Sequence, residues 1–567
     1  MTMNMKTRLT LAALSFSVFT YAQTLQDAII KTQNENYAAA GSDFVTIIGK
    51  EPSKGENYFY YGENFFGNND LEGANAQYQK GTELNATYPL NYVGLGKVLL
   101  YKGKDADAKA MFYKAATLGA NKNTEVMRKT AEAYINAENK NLDEAIKLLN
   151  EAIKLDAKNP ENYILMGDAL LEKNPTDGSA PIKNYQKASE LNPKSTKGIL
   201  REGKLYQRGR NYQLAIDYYK KALGIDATFA PAYRELAEVY MMAGRNKDAI
   251  EYWKKYLELN NSNDARYRYF TALYNNKQYA EAIAEGESLM KAGYSNLYIP
   301  RLMGYGYYEM GNKTDTLAYA KGLDAITKFF DLSSKESNFK YLPTDYKYKG
   351  MLLSKNGKDS LGVVEMEKAI AMDASGNCEL WAEVGRIWSK AKNYNKAIAA
   401  WEKRAGCAKA INGQDNFEFG RTCYFAGGAK LREAANIKDA KAKTAKEAEA
   451  TPYFVKADTC FSALIRSNAS FPAGYFWKGR VETYLDPNNA QWLAKPLFEK
   501  ALELAKPNEK TGSYKSNVIE ALEYLGYYHL TQNANKPNPE SDKYFNELKT
   551  IDPNNVKAKN YFTPPKK

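Results

Sequence analysis

Apolar and polar positions along the chain recur with a period near 34 residues. A small residue marks each period: Gly62 and Gly96 lie 34 apart, and so do Gly203, Ala237 and Thr271 in turn. The marker has a large residue four before it, an apolar residue just before it and an aromatic three after it, the last being Tyr206, Tyr240 and Tyr274. Twelve residues beyond the marker comes a second small residue (Ala74, Ala108, Ala215, Ala249), and four further on another aromatic (Tyr78, Phe112, Tyr219, Trp253). Offsets of three and four fall on one face of a helix. Each period therefore predicts two amphipathic helices that cross closely at the small residues, with aromatic rings filling the space beside the crossing. Fourteen markers carry the pattern: Ala28, Gly62, Gly96, Ala131, Gly167, Gly203, Ala237, Thr271, Gly304, Gly350, Gly385, Gly420, Gly479 and Gly526. They predict an all-α solenoid of antiparallel helix pairs, about 14 repeats long.

The segments YRELAEVYMMAGRNKDAIEYWKKYLELN (Tyr233 to Asn260) and WAEVGRIWSKAKNYNKAIAAWEK (Trp381 to Lys403) carry the pattern in full. It resembles the W-x2-L-G-x2-Y, A-x3-F-x2-A and Pro signature of the tetratricopeptide repeat (TPR) family. That resemblance implies a right-handed superhelix, a concave groove lined by the first helices, and a role as an interaction platform. Small insertions interrupt the period near Glu138-Asn139 and Asn174-Pro175, and larger ones stretch Gly304 to Gly350 (46 residues) and Gly420 to Gly479 (59 residues). The expected division is an N-terminal array over 23–310, an irregular junction with an inserted helix over 311–346, and a C-terminal array over 347–567. Within the last, an Ala/Lys/Glu-rich helical extension is expected near 426–452.

Composition then narrows the function. At 567 residues the length alone suggests three or four domains, but the repeat replaces that with copies of one hairpin. The single histidine among 567 residues excludes multi-histidine metal sites. His529, three residues after Gly526, fills a slot that tyrosine fills elsewhere and reads as packing. No P-loop, dinucleotide-binding or nucleophile-elbow motif is present, so no cofactor or enzymatic activity is expected. Lys6 and Arg8, an apolar run from Leu9 to Tyr21 and the Thr20-Tyr21-Ala22 ending read as a secretory leader over 1–22. No other stretch is long and apolar enough to span a bilayer. The expected location is periplasmic or outer-membrane-associated. Nucleic acid, which the +13 net charge alone would suggest, does not fit an exported chain. The Tyr-, Lys- and Asn-rich composition looks like envelope TPR proteins of Bacteroidota-type bacteria.

Four cysteines cluster late in the chain, and export favours their oxidation. Three connectivities exist; repeat geometry ranks Cys378–Cys407 and Cys423–Cys460 first, and four small buried thiols are the alternative. Groove-facing positions lie three before, one after and four after each marker. Three before gives Arg234, Arg268, Arg301 and Lys347; one after gives Arg386, Arg421 and Arg480. Tyr298, Tyr305, Tyr308, Phe417, Tyr424 and Phe476 accompany them. Stacked guanidinium forks with rigid aromatic rings suit carboxylates. The ladder therefore suggests an acidic or C-terminal peptide from another envelope protein, with an acidic polysaccharide or cell-wall polymer as the alternative. The carboxylate-clamp TPR domains are similar, but their asparagines are absent at the matching positions. If the arginines instead pair with groove acids such as Glu238 and Glu309, the ladder is a solvated face.

Overall fold

A computed structural model describes residues 24–311, 316–407 and 411–563, so the expected leader over 1–22 lies outside the described residues. Among the described residues there are thirty-one helices and no strands. Every one of the fourteen markers lies in the first helix of a pair, as Gly62 does in Gly55–Gly67, followed by Leu71–Leu84. The fold is an α-solenoid of about fourteen helix pairs. Ala440–Ala448, Pro507–Thr511 and Val556–Phe562 stand outside the pairs. No helix among the described residues is long and apolar enough to cross a membrane.

The turn inside most pairs places a residue in the left-handed region. Glycine supplies it at Gly103, Gly244 and Gly357, with φ of 70°, 71° and 76°. In the first pair the same position falls to Glu35, at φ 58°, where a side chain raises the backbone cost. Asparagine and serine caps open many of the helices: the Asn141, Asn211 and Ser195 side chains accept from Glu144, Leu214 and Gly198 backbone N–H groups.

Packing explains the small markers directly. A Cβ built on Gly62 would lie 2.3 Å from the Tyr78 ring, one on Gly96 2.4 Å from Phe112, and one on Gly385 2.7 Å from Trp401. The ring of the second helix rests on the bare backbone of the first. Tyr78, Tyr185, Tyr219 and Trp401 are fully buried this way. The tyrosine hydroxyls reach the helix edge, where Tyr78 donates to Glu63 at 2.6 Å and Tyr185 to Asp168 at 2.8 Å. Another repeating element escaped the sequence pattern. Five residues before the marker, buried Asn57, Asn91 and Asn162 donate to the backbone carbonyls of Glu51, Gly55 and Asp156. Each ties a first helix to the turn or helix before it.

The chain divides into two compact units, Met1–Ile299 and Pro300–Lys567. The long spacing after Gly304 is taken up by a regular 18-residue second helix, Thr316–Ser333, whose Ile326 faces Gly304. The longest spacing is taken up by extension of Gly413–Ala435 to 23 residues and by the solvent-facing helix Ala440–Ala448. Cys378 and Cys407 are joined, their Cα atoms 5.9 Å apart across the end of one hairpin. The second expected bridge, Cys423 with Cys460, does not form: both thiols are free and buried. They sit among Phe419, Phe454, Phe461 and Leu464, where burial pushes the Cys460 thiol up to about 12 and holds Cys423 higher still. Thiolate is the form that attacks a disulfide, so these two behave as small hydrophobes.

The ring-on-backbone contact has a direct consequence. Gly385→Ala puts a methyl 2.7 Å from Trp401 and lowers stability by about 1–3 kcal/mol. Gly224→Ala, in a helix with nothing within 4 Å of the new methyl, raises it by about 0.5–1 kcal/mol. Urea midpoints of the two variants should move in opposite directions; a shared direction would contradict the packing assignment.

Candidate functional site

In each unit a run of first helices contact one another in succession and form a wall: Gly55–Gly67, Leu90–Tyr101 and Thr124–Asn136 in the first, Leu380–Lys390, Gly413–Ala435 and Pro472–Leu485 in the second. This is the wall on which the sequence places its ladder.

In the first unit the wall is charge-balanced from within. Lys97 Nζ lies 2.8 Å and Lys129 Nζ 3.4 Å from Glu63, and Lys129 lies 2.8 Å from Glu132. Burial opposes ionisation of Glu132, but Lys129, Lys197 and Lys97 outweigh it and hold its carboxyl well below the usual range. These groups line a cleft of about 340 Å³ with Tyr60 and Phe66, and Lys97 sits 3.9 Å above the Phe66 ring. The ladder arginines are equally occupied. Arg268 pairs with Glu238. Arg234 pairs with Glu35 and, at 3.1 Å, with Glu235. Glu35 also accepts from the Tyr256 hydroxyl at 2.7 Å, while neighbouring Asn34 donates to Asp226 at 2.9 Å and to Thr228 at 3.1 Å. The turn of the first hairpin is thus latched onto the seventh. Burial works against the Arg234 charge, and Glu35 and Glu235 more than restore it. Arg234 is a structural cation, and the left-handed turn at Glu35 is what delivers its partner. Tyr298 is exposed at the end of the unit.

In the second unit, Arg301 is buried rather than groove-facing. Its Nε and Nη2 grip both oxygens of fully buried Asp345 at 2.6 and 2.8 Å, and Tyr305 donates to the same carboxylate. Asp345 also accepts from Leu342 N–H at 2.6 Å, capping the next first helix. Tyr305 is buried and stacks 4.3 Å from Tyr348, against which Tyr308 packs edge-on at 5.6 Å. Lys347 pairs with Glu379 at 2.9 Å. Glu309, expected as an arginine partner, accepts instead from Tyr348 at 2.6 Å. Phe476 is fully buried in the C-terminal core and does not line the wall, so the position three before the marker is not uniformly groove-facing. The rule fails because each first helix also packs on its own second helix, and that contact claims part of the same arc.

The later ladder is arranged differently. Arg386 pairs with Glu418, and Arg480 with Glu520. Arg421, between them in the same phase, has no carboxylate partner among the described residues, and its buried Nε has no hydrogen-bond acceptor. Its guanidinium lies 5.6 Å from the Phe417 ring, 5.8 Å from Phe425 and 5.1 Å from Trp477. Tyr424 packs edge-on to Trp477 at 5.3 Å, and Phe425 and Tyr484 are exposed. The structure therefore brings Phe417, Arg421, Tyr424 and Arg480 together. It adds Trp477, Phe425 and Tyr484, which the three-position rule passed over although the aromatic density of these two helices was visible. Among the described residues no group of three or more His, Cys, Asp or Glu is placed to hold a metal ion.

Glu35 offers a test of the latch. Glu35→Ala removes the acceptor of Tyr256 and one of the two carboxylates of Arg234, so amides of Leu25–Gln33 and Tyr37–Lys50 should exchange with deuterium at least about tenfold faster, with Gly413–Ala435 unchanged. Unchanged exchange in the first hairpin would show that Glu35 contributes nothing to the latch.

Comparison with known proteins agrees with the repeat. Family models described as tetratricopeptide repeat match residues 205–268 and 130–159. The chain is 34% identical over 88 residues to small glutamine-rich tetratricopeptide repeat-containing protein 2 of Mycosarcoma maydis, covering 16% of this chain and 25% of that one. It is 28% identical over 102 residues to superkiller complex protein 3 of Mus musculus, covering 18% and 6%. The aligned stretches thus span a quarter or less of these relatives' own length. Among solved structures, the C-terminal part of a TPR repeat-containing protein from Cytophaga hutchinsonii is 27% identical at a TM-score of 0.41, covering 52% of this chain and 99% of that one. A tetratricopeptide repeat protein from Parabacteroides merdae is 18% identical at a TM-score of 0.31, covering 45% and 98%. The chain is thus a helical solenoid in which residues 130–159 and 205–268 match tetratricopeptide repeats.

Proposed function

We propose that this protein is a non-enzymatic scaffold of the bacterial cell envelope that binds a segment of another protein on the first-helix wall of Pro300–Lys567. Tetratricopeptide repeats typically mediate protein–protein interaction. The observation that carries the reading for this chain is the aromatic cluster of Phe417, Tyr424, Phe425, Trp477 and Tyr484. Its members contact one another on neighbouring first helices, and Phe425 and Tyr484 remain exposed. Contiguous exposed aromatics supply rigid contact area at small entropic cost and mark docking surfaces.

The pairing pattern favours protein over acidic glycan. A polyanionic polymer needs a run of free cations, and Arg268, Arg301, Lys347, Arg386 and Arg480 each hold an internal carboxylate. Two observations support export: the leader-like first 22 residues and the Cys378–Cys407 bridge, which persists in an oxidising compartment.

Crosslinking and affinity purification from envelope fractions tests the reading. Defined proteins should co-purify with the wild-type chain, and the Phe425→Ala/Tyr484→Ala double variant should lose most of them while keeping its helical circular dichroism. Capture of nothing above a tag-only control, or of polysaccharide alone, would overturn it.

A further inference from the structure

Arg386, Arg421 and Arg480 each follow their marker glycine by one residue, so they occupy one phase of three successive first helices. The residue two before the marker on the next first helix faces that phase. For Arg386 that residue is Glu418, and the two pair. For Arg421 the equivalent residue is Trp477, an indole where the previous repeat has a carboxylate. For Arg480 the equivalent residue is Tyr524, and Arg480 pairs instead with Glu520, one helical turn earlier. That second option is closed to Arg421 as well, because the residue matching Glu520 is Ala473. Glu418 precedes Arg421 by three on its own helix, but one of its oxygens accepts from Arg386 and the other from Gln414 at 2.5 Å. On its own helix Arg421 is flanked one turn away on each side by Phe417 and Phe425.

A guanidinium with a buried, unsatisfied Nε held against three aromatic rings is costly to leave without an acceptor. The missing group is an anion that accepts end-on from the two terminal nitrogens, which, unlike Nε, are not among the enclosed unpaired atoms. We infer that Arg421 is the anchor for a carboxylate carried by the bound protein segment, with Trp477 standing in the place of an internal glutamate so that the partner supplies it. The inference rests on the scaffold reading above and names the chemistry of its ligand: an acidic side chain or chain terminus next to an apolar residue. The apolar neighbour follows from the exposed edges of Phe425 and Tyr484. Trp477 carries the Arg421 and Arg480 guanidinium groups over its ring at 5.1 and 5.0 Å, which leaves little free face for a sugar to stack on. The fit is to peptide.

The test uses the full exported chain and fluorescent twelve-residue peptides bearing one Glu beside Leu, their Gln counterparts, and oligogalacturonate as an acidic glycan. The Glu peptides should bind at least about tenfold tighter than the Gln ones. Arg421→Gln should remove that preference, and Arg268→Gln, at an exposed paired arginine, should leave it. Trp477→Glu restores an internal carboxylate in the phase of Glu418; it should abolish the preference while the melting temperature stays at or above wild type. If that variant does not fold, Arg421→Gln with unchanged circular dichroism decides. Equal binding of Glu and Gln peptides, a preference that survives Arg421→Gln, or stronger binding of oligogalacturonate would overturn the assignment. Should the peptides fail while protein partners are still captured from the envelope, the scaffold reading stands without Arg421 as its anchor; loss of capture altogether removes the reading itself.

Discussion

An aromatic ring lying on a bare stretch of helix backbone is the contact from which the rest of this molecule follows. Tyr78 on Gly62, Phe112 on Gly96, Trp401 on Gly385 and Phe498 on Gly479 bring the two helices of each hairpin close enough to exclude water. That proximity fixes which arc of each first helix is consumed inside its own hairpin and which is left to build a wall with its neighbours. Where the ring is a tyrosine, as at Tyr78 and Tyr185, its hydroxyl reaches the helix edge. There it meets Glu63 or Asp168, side chains that also hold cations of the following repeats. Core packing and the charged wall are therefore joined through the same residues.

The wall obeys an electrostatic constraint of its own. Cations repeated in one phase would repel if each stood alone, and an acid on a neighbouring element neutralises nearly every one of them. Arg234 draws Glu35 from the first hairpin, Arg301 draws Asp345 from the next, and Arg386 draws Glu418. These pairs stiffen the solenoid at little net gain per pair, since desolvation offsets much of the attraction. Their larger effect is on specificity: a wall whose cations are already occupied does not gather polyanions indiscriminately. Arg421 departs from the pattern because an indole replaces the acid, and the departure coincides with the aromatic cluster that exposes Phe425 and Tyr484.

The fold was readable from the chain because its governing contact is local. Marker and ring are 16 to 19 residues apart in most hairpins, as in Gly62 with Tyr78 and Gly479 with Phe498, so one pattern contains both. The Cys378–Cys407 bridge was legible for the same reason, with partners 29 apart at one end of a hairpin. The wall was legible only in part. Phase places Arg234 and Arg301 on the right helices, but whether a side chain is free depends on residues far away: Glu35 is 199 positions from Arg234, and Asp345 is 44 from Arg301. Glu35 carries no sequence signal, since its role comes from a left-handed turn meeting a hairpin six repeats later. Cys423 and Cys460 mislead for a related reason, because position in a repeat says which core a thiol enters but not whether two thiols in that core are joined. The substitution of Trp477 for the acid at Glu418's phase was present in the alignment of repeats, and only the structure shows what it leaves unpaired.

Arginine side-chain NMR tests the occupied-wall description most directly. With Nε labelled with nitrogen-15, titration of benzoate, a carboxylate joined to a ring, reports on every arginine of the ladder at once. Movement of the Arg421 Nε–H resonance alone, with Arg234, Arg301, Arg386 and Arg480 held in place by their internal carboxylates, is the predicted result. A shift shared by the whole ladder, or none at Arg421, would contradict it.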